Sequence, residues 1–164
     1  MPGRSRRLAL AALLILLVTG VALATPVPVV ALSGGGPAEI VRGLDDGEPF
    51  LYSYQQSIYN VPVLEEFVRA GDRLKLLRVR SSDIRSVEYF RWDGNIVQDD
   101  KLMWSQEAPP NDHQQLIIQV TSLGDQRMST PRWTIDLLER FGRAIVTLRV
   151  DRRPRALTLF PGTP

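Results

Sequence analysis

The 164-residue sequence predicts a mainly β protein, a small antiparallel β-sandwich or open barrel that follows an apolar N-terminal signal or anchor segment. Three observations carry this expectation. Short stretches rich in β-branched and aromatic residues recur from Phe50 onward. Tight-turn signals separate them, among them Ala70-Gly71-Asp72 and Trp92-Asp93-Gly94-Asn95. Cysteine is absent and His113 is the one histidine, so an ordinary hydrophobic core, rather than disulfides or thiolate metal sites, must stabilise the domain.

The strand-like stretches are residues 50–54, 61–69, 73–80, 86–92 and 114–121, with Gly124-Asp125 turning out of the last. Residues 99–112 are polar and contain Pro109-Pro110, the composition of a long surface loop. Residues 132–138 are ambiguous: Trp133, Leu137 and Phe141 share a helical face, whereas Trp133, Ile135 and Leu137 share a strand face. Strand is the reading adopted, because residues 144–150 and 156–160 beyond it are also strand-like. Residues 25–47 are rich in Pro and Gly and read as a linker with one short strand at 38–42. The chain thus divides into a signal or anchor at 1–24, a linker at 25–47 and a single β domain at 48–164.

Within residues 1–24, Arg4, Arg6 and Arg7 precede an unbroken apolar run from Leu8 to Val18, and Ala22-Leu23-Ala24 follows as a small-residue cleavage signal. That pattern predicts export, with cleavage after Ala24 preferred and an uncleaved membrane anchor as the alternative; the arginines place the N-terminus inside in either case. Three of the 20 basic side chains and none of the 18 acidic ones lie there, which leaves residues 25–164 with 17 against 18, net −1. The basic character of the whole chain is therefore no argument for a nucleic-acid partner. Charge is nonetheless uneven, net −5 over residues 39–66 and net +5 over 127–155, and the two segments are expected to pair with each other.

Catalytic constellations are thin. Glu65 and Glu66 are adjacent and on a strand point to opposite faces, so they do not form an acid and base pair. Asp45-Asp46 and Asp99-Asp100 read as solvated turns without the spaced acids of a calcium loop. Asp112-His113 lacks a nucleophile motif. No enzymatic role, cofactor or metal is predicted. Tyr52, Tyr54, Gln56 and Ser57 form a polar and aromatic patch ending the first main strand, while Trp92, Trp104 and Trp133 either line a ligand cleft or pack in the core. Pro62 cannot donate to a sheet, which predicts an edge or bulge beside the patch.

The run from Phe50 to Phe67 resembles the signature of the domain of unknown function 1850 family, an aromatic strand with a Tyr-x-His-Ser-Val core followed by Pro-Val and Glu. Tyr54, Ser57, Pro62-Val63 and Glu65 or Glu66 match it, and Gln56 stands where the family carries histidine. A second match joins Ile135-Asp136-Leu137, Phe141-Gly142-Arg143 and Arg153-Pro154-Arg155-Ala156-Leu157 to the family's closing strands. Residues 86–94 occupy the place of the family's glycine-rich middle segment. The resemblance implies a short exported β domain, associated with the TAXI-type branch of tripartite ATP-independent periplasmic (TRAP) transporters. The expected role is a non-enzymatic accessory or interaction domain, its partner a membrane transporter or its solute-binding protein. The alternative is a stand-alone domain that binds a small organic acid. Candidate binding residues are Tyr52, Tyr54, Gln56, Ser57, Glu65, Trp92 and Trp133.

Overall fold

The computed structural model describes residues 3–36, 39–99 and 101–159. Helix α1 (Gly3–Ala24) leads into β1 (Pro26–Ser33), β2 (Glu39–Gly43), β3 (Pro49–Gln56), β4 (Val61–Ala70) and β5 (Arg73–Ser81). Then come α2 (Ile84–Glu88), β6 (Ile96–Gln98), β7 (Trp104–Glu107), β8 (Gln115–Gln119), β9 (Arg127–Thr130) and β10 (Trp133–Asp136). Helix α3 (Leu137–Phe141), β11 (Ile145–Pro154) and α4 (Ala156–Leu159) close the chain. The strands form two antiparallel sheets, one ordered β2-β1-β11-β8 and the other β10-β9-β3-β4-β5-β7-β6, and the fold is an open β-sandwich.

The core lies between the sheets. Val30, Leu32, Val146, Leu148 and Ile118 from the smaller sheet meet Phe50, Tyr52, Phe67, Leu74, Met128 and Ile135 from the larger one. Phe50 and Phe67 sit opposite each other in the β3–β4 ladder with ring centroids 5.8 Å apart. The larger sheet extends past its partner, and there α2 covers it: Val87 packs on Val63 and Val79, flanked by Phe90, Trp92 and Trp104.

The expected linker at 25–47 is instead two strands of the smaller sheet. Val29, Val30, Ala31 and Leu32 are all 0% exposed, the continuous apolar run of a strand covered on both faces. The prolines do not break it. β2 pairs with β1 only from Val29 to Ser33, so at Pro26 and Pro28 the sole ladder partner is β11. The carbonyl of Pro28 accepts from Leu44 N–H on the β2 side, so the amide hydrogen that Pro28 lacks is missing on that side and costs no bond to β11. The glycines that suggested a tether make a turn packed against β11: a Cβ on Gly34 would lie 2.7 Å from the Ile145 carbonyl oxygen. Pro37 of the expected linker and Ala38, the first residue of its expected strand, lie outside the described residues.

Other segments depart from expectation for local reasons. Residues 86–92 are not a strand, because Asp83 caps α2 by accepting from Arg85 N–H at 2.9 Å. The expected loop at 99–112 contains β7, which pairs with β5 over Trp104 to Glu107; Asp100 lies outside the described residues. The ambiguous segment divides: it is strand to Asp136, whose side chain accepts from Glu139 N–H at 3.0 Å and starts α3, and Gly142 at φ 63° ends that helix. Residues 156–159 are helix α4 rather than strand, and Phe160 is outside the described residues. The hairpin at Gly71, φ 67°, joins β4 to β5 as the turn signal predicts.

The acidic and basic segments pair. Glu39 accepts from Arg149 at 2.7 Å and Arg153 at 3.2 Å, and Glu48 accepts from Arg132 Nε at 2.9 Å.

Helix α1 stands apart from this packing. Its apolar side chains from Leu8 to Ala22 are exposed, Leu8 at 66%, Leu16 at 70% and Val21 at 61%, and none of its described side chains belongs to the core. A chain of residues 25–164 therefore unfolds in urea at the same midpoint as the full chain and shows a mainly β circular dichroism spectrum. A chain of 48–164 does not fold: it loses β1 and β2, and burial of each large apolar side chain is worth about 1.5–3 kcal/mol against a typical total of about 5–15 kcal/mol. A cooperative transition in the shorter chain overturns the assignment of β1 to the core.

Candidate functional site

The inner face of the larger sheet carries a groove beneath β8. A β-bulge lies beside it: Glu66 pairs with Arg78 but Phe67 pairs with Leu76, so Leu77 is an extra residue on β5. With that shift, Phe67 and Leu76 face the core together, and Glu65 also points inward, beside Tyr52 on β3 and Val79 on β5. Glu66 faces the other side, where Arg78 and Arg80 hold it at 2.6 and 3.0 Å. The two adjacent glutamates thus lie on opposite faces, one paired and one not.

Glu65, Tyr52, Tyr54 and Gln126 line a hollow of about 370 Å³ whose far wall is Leu116 to Gln119 of β8. It continues into a second hollow of about 430 Å³ bounded by Tyr54, Gln119 and Gln126 and, further out, by Gln56, Ser57, Ile58, Tyr89 and Leu123. The groove therefore follows the free edge of β8, where the smaller sheet ends before α2 takes over as cover.

Gln126 fixes the geometry of this edge. Val120 N–H donates to Ala144 on the β11 side, so the Gln119 carbonyl and Thr121 N–H point the other way. Gln126 answers both: its Oε1 accepts from Thr121 N–H at 2.9 Å and its Nε2 donates to the Gln119 carbonyl at 2.9 Å. The same Nε2 donates to the Tyr52 hydroxyl at 3.0 Å, which ties the two sheets together at the groove floor. Gln126 is buried, and both of its amide hydrogens are committed, so it has no donor left for a ligand.

The electrostatics are unusual at Glu65. Burial raises its carboxyl to about 7, and the interaction with the Tyr54 hydroxyl only partly opposes this. Among the described residues no cation compensates it. Burial likewise raises Tyr52 to about 12, the bond from Gln126 working against the shift and the Glu65 charge adding to it. Tyr54 is raised further, by burial first and then by the Glu65 charge. Both phenols are protonated at neutral pH, their rings 5.1 Å apart. Among the described residues, no group of three or more His, Asp or Glu side chains is placed to hold a metal ion.

Of the sequence candidates, the structure brings Tyr52, Tyr54 and Glu65 together, with Gln56 and Ser57 at the outer end of the same groove. Gln56 is buried and its Oε1 accepts from Ser86 Oγ at 3.2 Å and Tyr59 N–H at 3.4 Å, a tie between β3 and α2, whereas Ser57 is exposed. The edge or bulge expected at Pro62 is not there: β4 lies in the middle of the sheet, Pro62 is exposed near the end of its ladder with β3, and the bulge falls four residues later. Trp92 and Trp133 are outside the groove. Trp92 packs at a tilt on Phe90, ring centroids 4.8 Å apart, beside α2, and Trp133 packs on Phe50 at 6.1 Å while its Nε1 donates to the Gly43 carbonyl at 3.0 Å. Trp104 joins the cluster under α2. His113 is structural, its ring edge-on to Phe67 and its backbone bonded both ways to Leu74. Asp112 pairs with Arg73 at 3.3 Å.

Gln126 and Tyr89 belong to the site and were missed from sequence. A single glutamine after a turn carries no signal, and Tyr89 was concealed by the strand assigned to 86–92. In comparisons with known proteins, no family model, no curated protein and no solved structure matches the chain.

Two outcomes follow from the site. Because Glu65 titrates near 7 when folded and about 4.5 when unfolded, the folded state holds its proton more tightly. Stability carries no penalty from this group below about pH 4.5, falls as pH rises through the interval, and bears the whole penalty above about 7. Glu65→Gln removes that slope, so its advantage over the wild type in urea unfolding grows between pH 4.5 and 8 by up to about 3 kcal/mol; a pH-independent difference contradicts the buried carboxyl. Separately, Gln56→Ala costs about 1–3 kcal/mol through loss of buried hydrogen bonds, whereas Ser57→Ala stays within about 0.5 kcal/mol. Equal effects of the two substitutions overturn this division.

Proposed function

We propose that the chain is an exported, non-enzymatic accessory domain that works at the outer face of the cytoplasmic membrane, serving a TAXI-type TRAP transporter or its solute-binding protein. The observation that carries the location is α1. A helix apolar on every side and in contact with no core is a segment made for a lipid or export environment, not for a soluble domain. Its uncharged stretch from Leu8 to Ala24 measures roughly 26 Å against a hydrocarbon thickness of roughly 30 Å. Among the described residues no helix is long and apolar enough to cross a membrane. Removal after Ala24 is the reading adopted, on the Ala22-Leu23-Ala24 cleavage pattern.

Removal leaves a well-secured start. The Thr25 carbonyl accepts from Arg155 N–H at 3.1 Å, and Pro26 pairs with Pro154 at once, so the new N-terminus is held in the smaller sheet. The transporter comes from the family resemblance of residues 50–67, and those residues build one wall of the groove. A second reading, a stand-alone domain binding a small ligand, is favoured by the open hollow around Glu65 and Tyr54.

The test is crosslinking in intact cells from the rim residues Ile58 and Leu123, with substrate uptake measured in a deletion strain. The expected result is capture of a transporter subunit or solute-binding protein, a drop in uptake, and an intact mass that begins at Thr25. Unrelated captured proteins together with unchanged uptake overturn the accessory role, and a mass that retains residues 1–24 establishes the anchor.

A further inference from the structure

We infer that the groove beneath β8 binds a small organic ammonium cation, its charge held against the Glu65 carboxylate and the tyrosine rings beside it. This inference rests on the reading of the groove as a contact site and assigns the chemistry that it accepts.

The first ground is charge. The sequence holds 18 arginines, and neighbouring glutamates use them: Glu39 takes Arg149 and Arg153, Glu48 takes Arg132, and Glu66 takes Arg78 and Arg80. Glu65 is the inward-facing glutamate of β4, largely buried, and no lysine, arginine or histidine lines its hollow. An unpaired carboxylate in such a place attracts a cation from solution.

The second ground is the surrounding surface. Tyr52 and Tyr54 stand side by side next to the carboxylate, and Tyr89, 58% exposed, closes the outer end, so aromatic faces are available to an ammonium group. The third ground excludes the opposite charge. Both Gln126 amide hydrogens are committed, to the Gln119 carbonyl and the Tyr52 hydroxyl, so this buried side chain at the groove floor offers no donor to an incoming carboxylate. An organic acid would set a second anion against Glu65 with nothing to neutralise either. The hollow of about 370 Å³ is large enough for an amino alcohol.

The experiment is isothermal titration of the full chain at pH 8 with choline and ethanolamine. The controls are 3,3-dimethylbutan-1-ol, the uncharged counterpart of choline in shape, and succinate. At least one cation is expected to bind, with both controls at least tenfold weaker. Glu65→Gln is expected to weaken the cation at least tenfold, while Glu66→Gln, on the opposite face, leaves it unchanged; circular dichroism checks that both variants are folded. Binding of the neutral alcohol as tightly as choline, binding of succinate that survives Glu65→Gln, or no heat from either cation at millimolar concentration overturns the inference. If cation binding fails while rim crosslinking still captures a transporter component, the accessory role stands without this ligand. If crosslinking fails while Glu65-dependent cation binding persists, the groove is a ligand site and the accessory role falls.

Discussion

The fold depends on β1 being buried on both faces between β2 and β11. Four consecutive residues, Val29 to Leu32, have no exposure, and they join the two halves of the smaller sheet. Without them β11 loses its partner on one side, and Phe50, Phe67, Met128 and Ile135 lose cover from Val30 and Leu32. The groove is a consequence of the same arrangement, because its roof is β8, the last strand of the sheet that β1 organises.

The bulge at Leu77 then keeps β5 apolar on the inner face beside the groove. In a regular ladder, β4 and β5 would keep one alternation along their length, and a strand with Phe67 and Leu76 in the core would not also place Val79 there. One extra residue on β5 resets the alternation, so β5 stays apolar inward while β4 places Glu65 two positions from Phe67 on the same face. Gln126, just before β9, completes the site. It replaces a missing neighbour strand at Gln119 and Thr121 and holds Tyr52 in the same step.

Much of this was legible in the sequence, and the failures share a physical cause. The β3–β4–β5 meander follows from alternation and from Gly71, and the opposite facing of Glu65 and Glu66 follows from the two-residue strand period alone. The first 24 residues are recognisable by composition, and the structure adds that the apolar side chains from Leu8 to Ala22 are exposed. β1 was taken for linker because proline and glycine were weighed as breakers, although a strand buried on both faces shows no alternation and its prolines lie where a ladder partner is absent. Residues 86–92 were assigned to a strand on their aromatic content, but one carboxylate cap at Asp83 outweighed propensity over a five-residue helix. Tyr52, Tyr54 and Glu65 could be found as candidates because they lie close together in sequence. Gln126 could not, since its role is defined by partners 74 residues away in Tyr52 and across a turn in Gln119.

A site that breaks a local rule without local compensation is a natural place to look for function. Every other inward position of the central strands carries an apolar side chain or a polar one with partners: Gln56 has Ser86, and Ser81 donates to the Pro62 carbonyl at 2.9 Å. Glu65 has one phenol beside it and a raised affinity for a proton. A leucine or valine at that position would bury more apolar surface and avoid the desolvation of a carboxylate, so the glutamate is a cost to the free protein. A positive group bound beside it would lower the carboxyl again, and the energy spent on keeping the unpaired charge would return as binding energy. Stability and ligand chemistry are therefore linked through one side chain, and the pH at which the free domain weakens is also the pH above which its groove is charged.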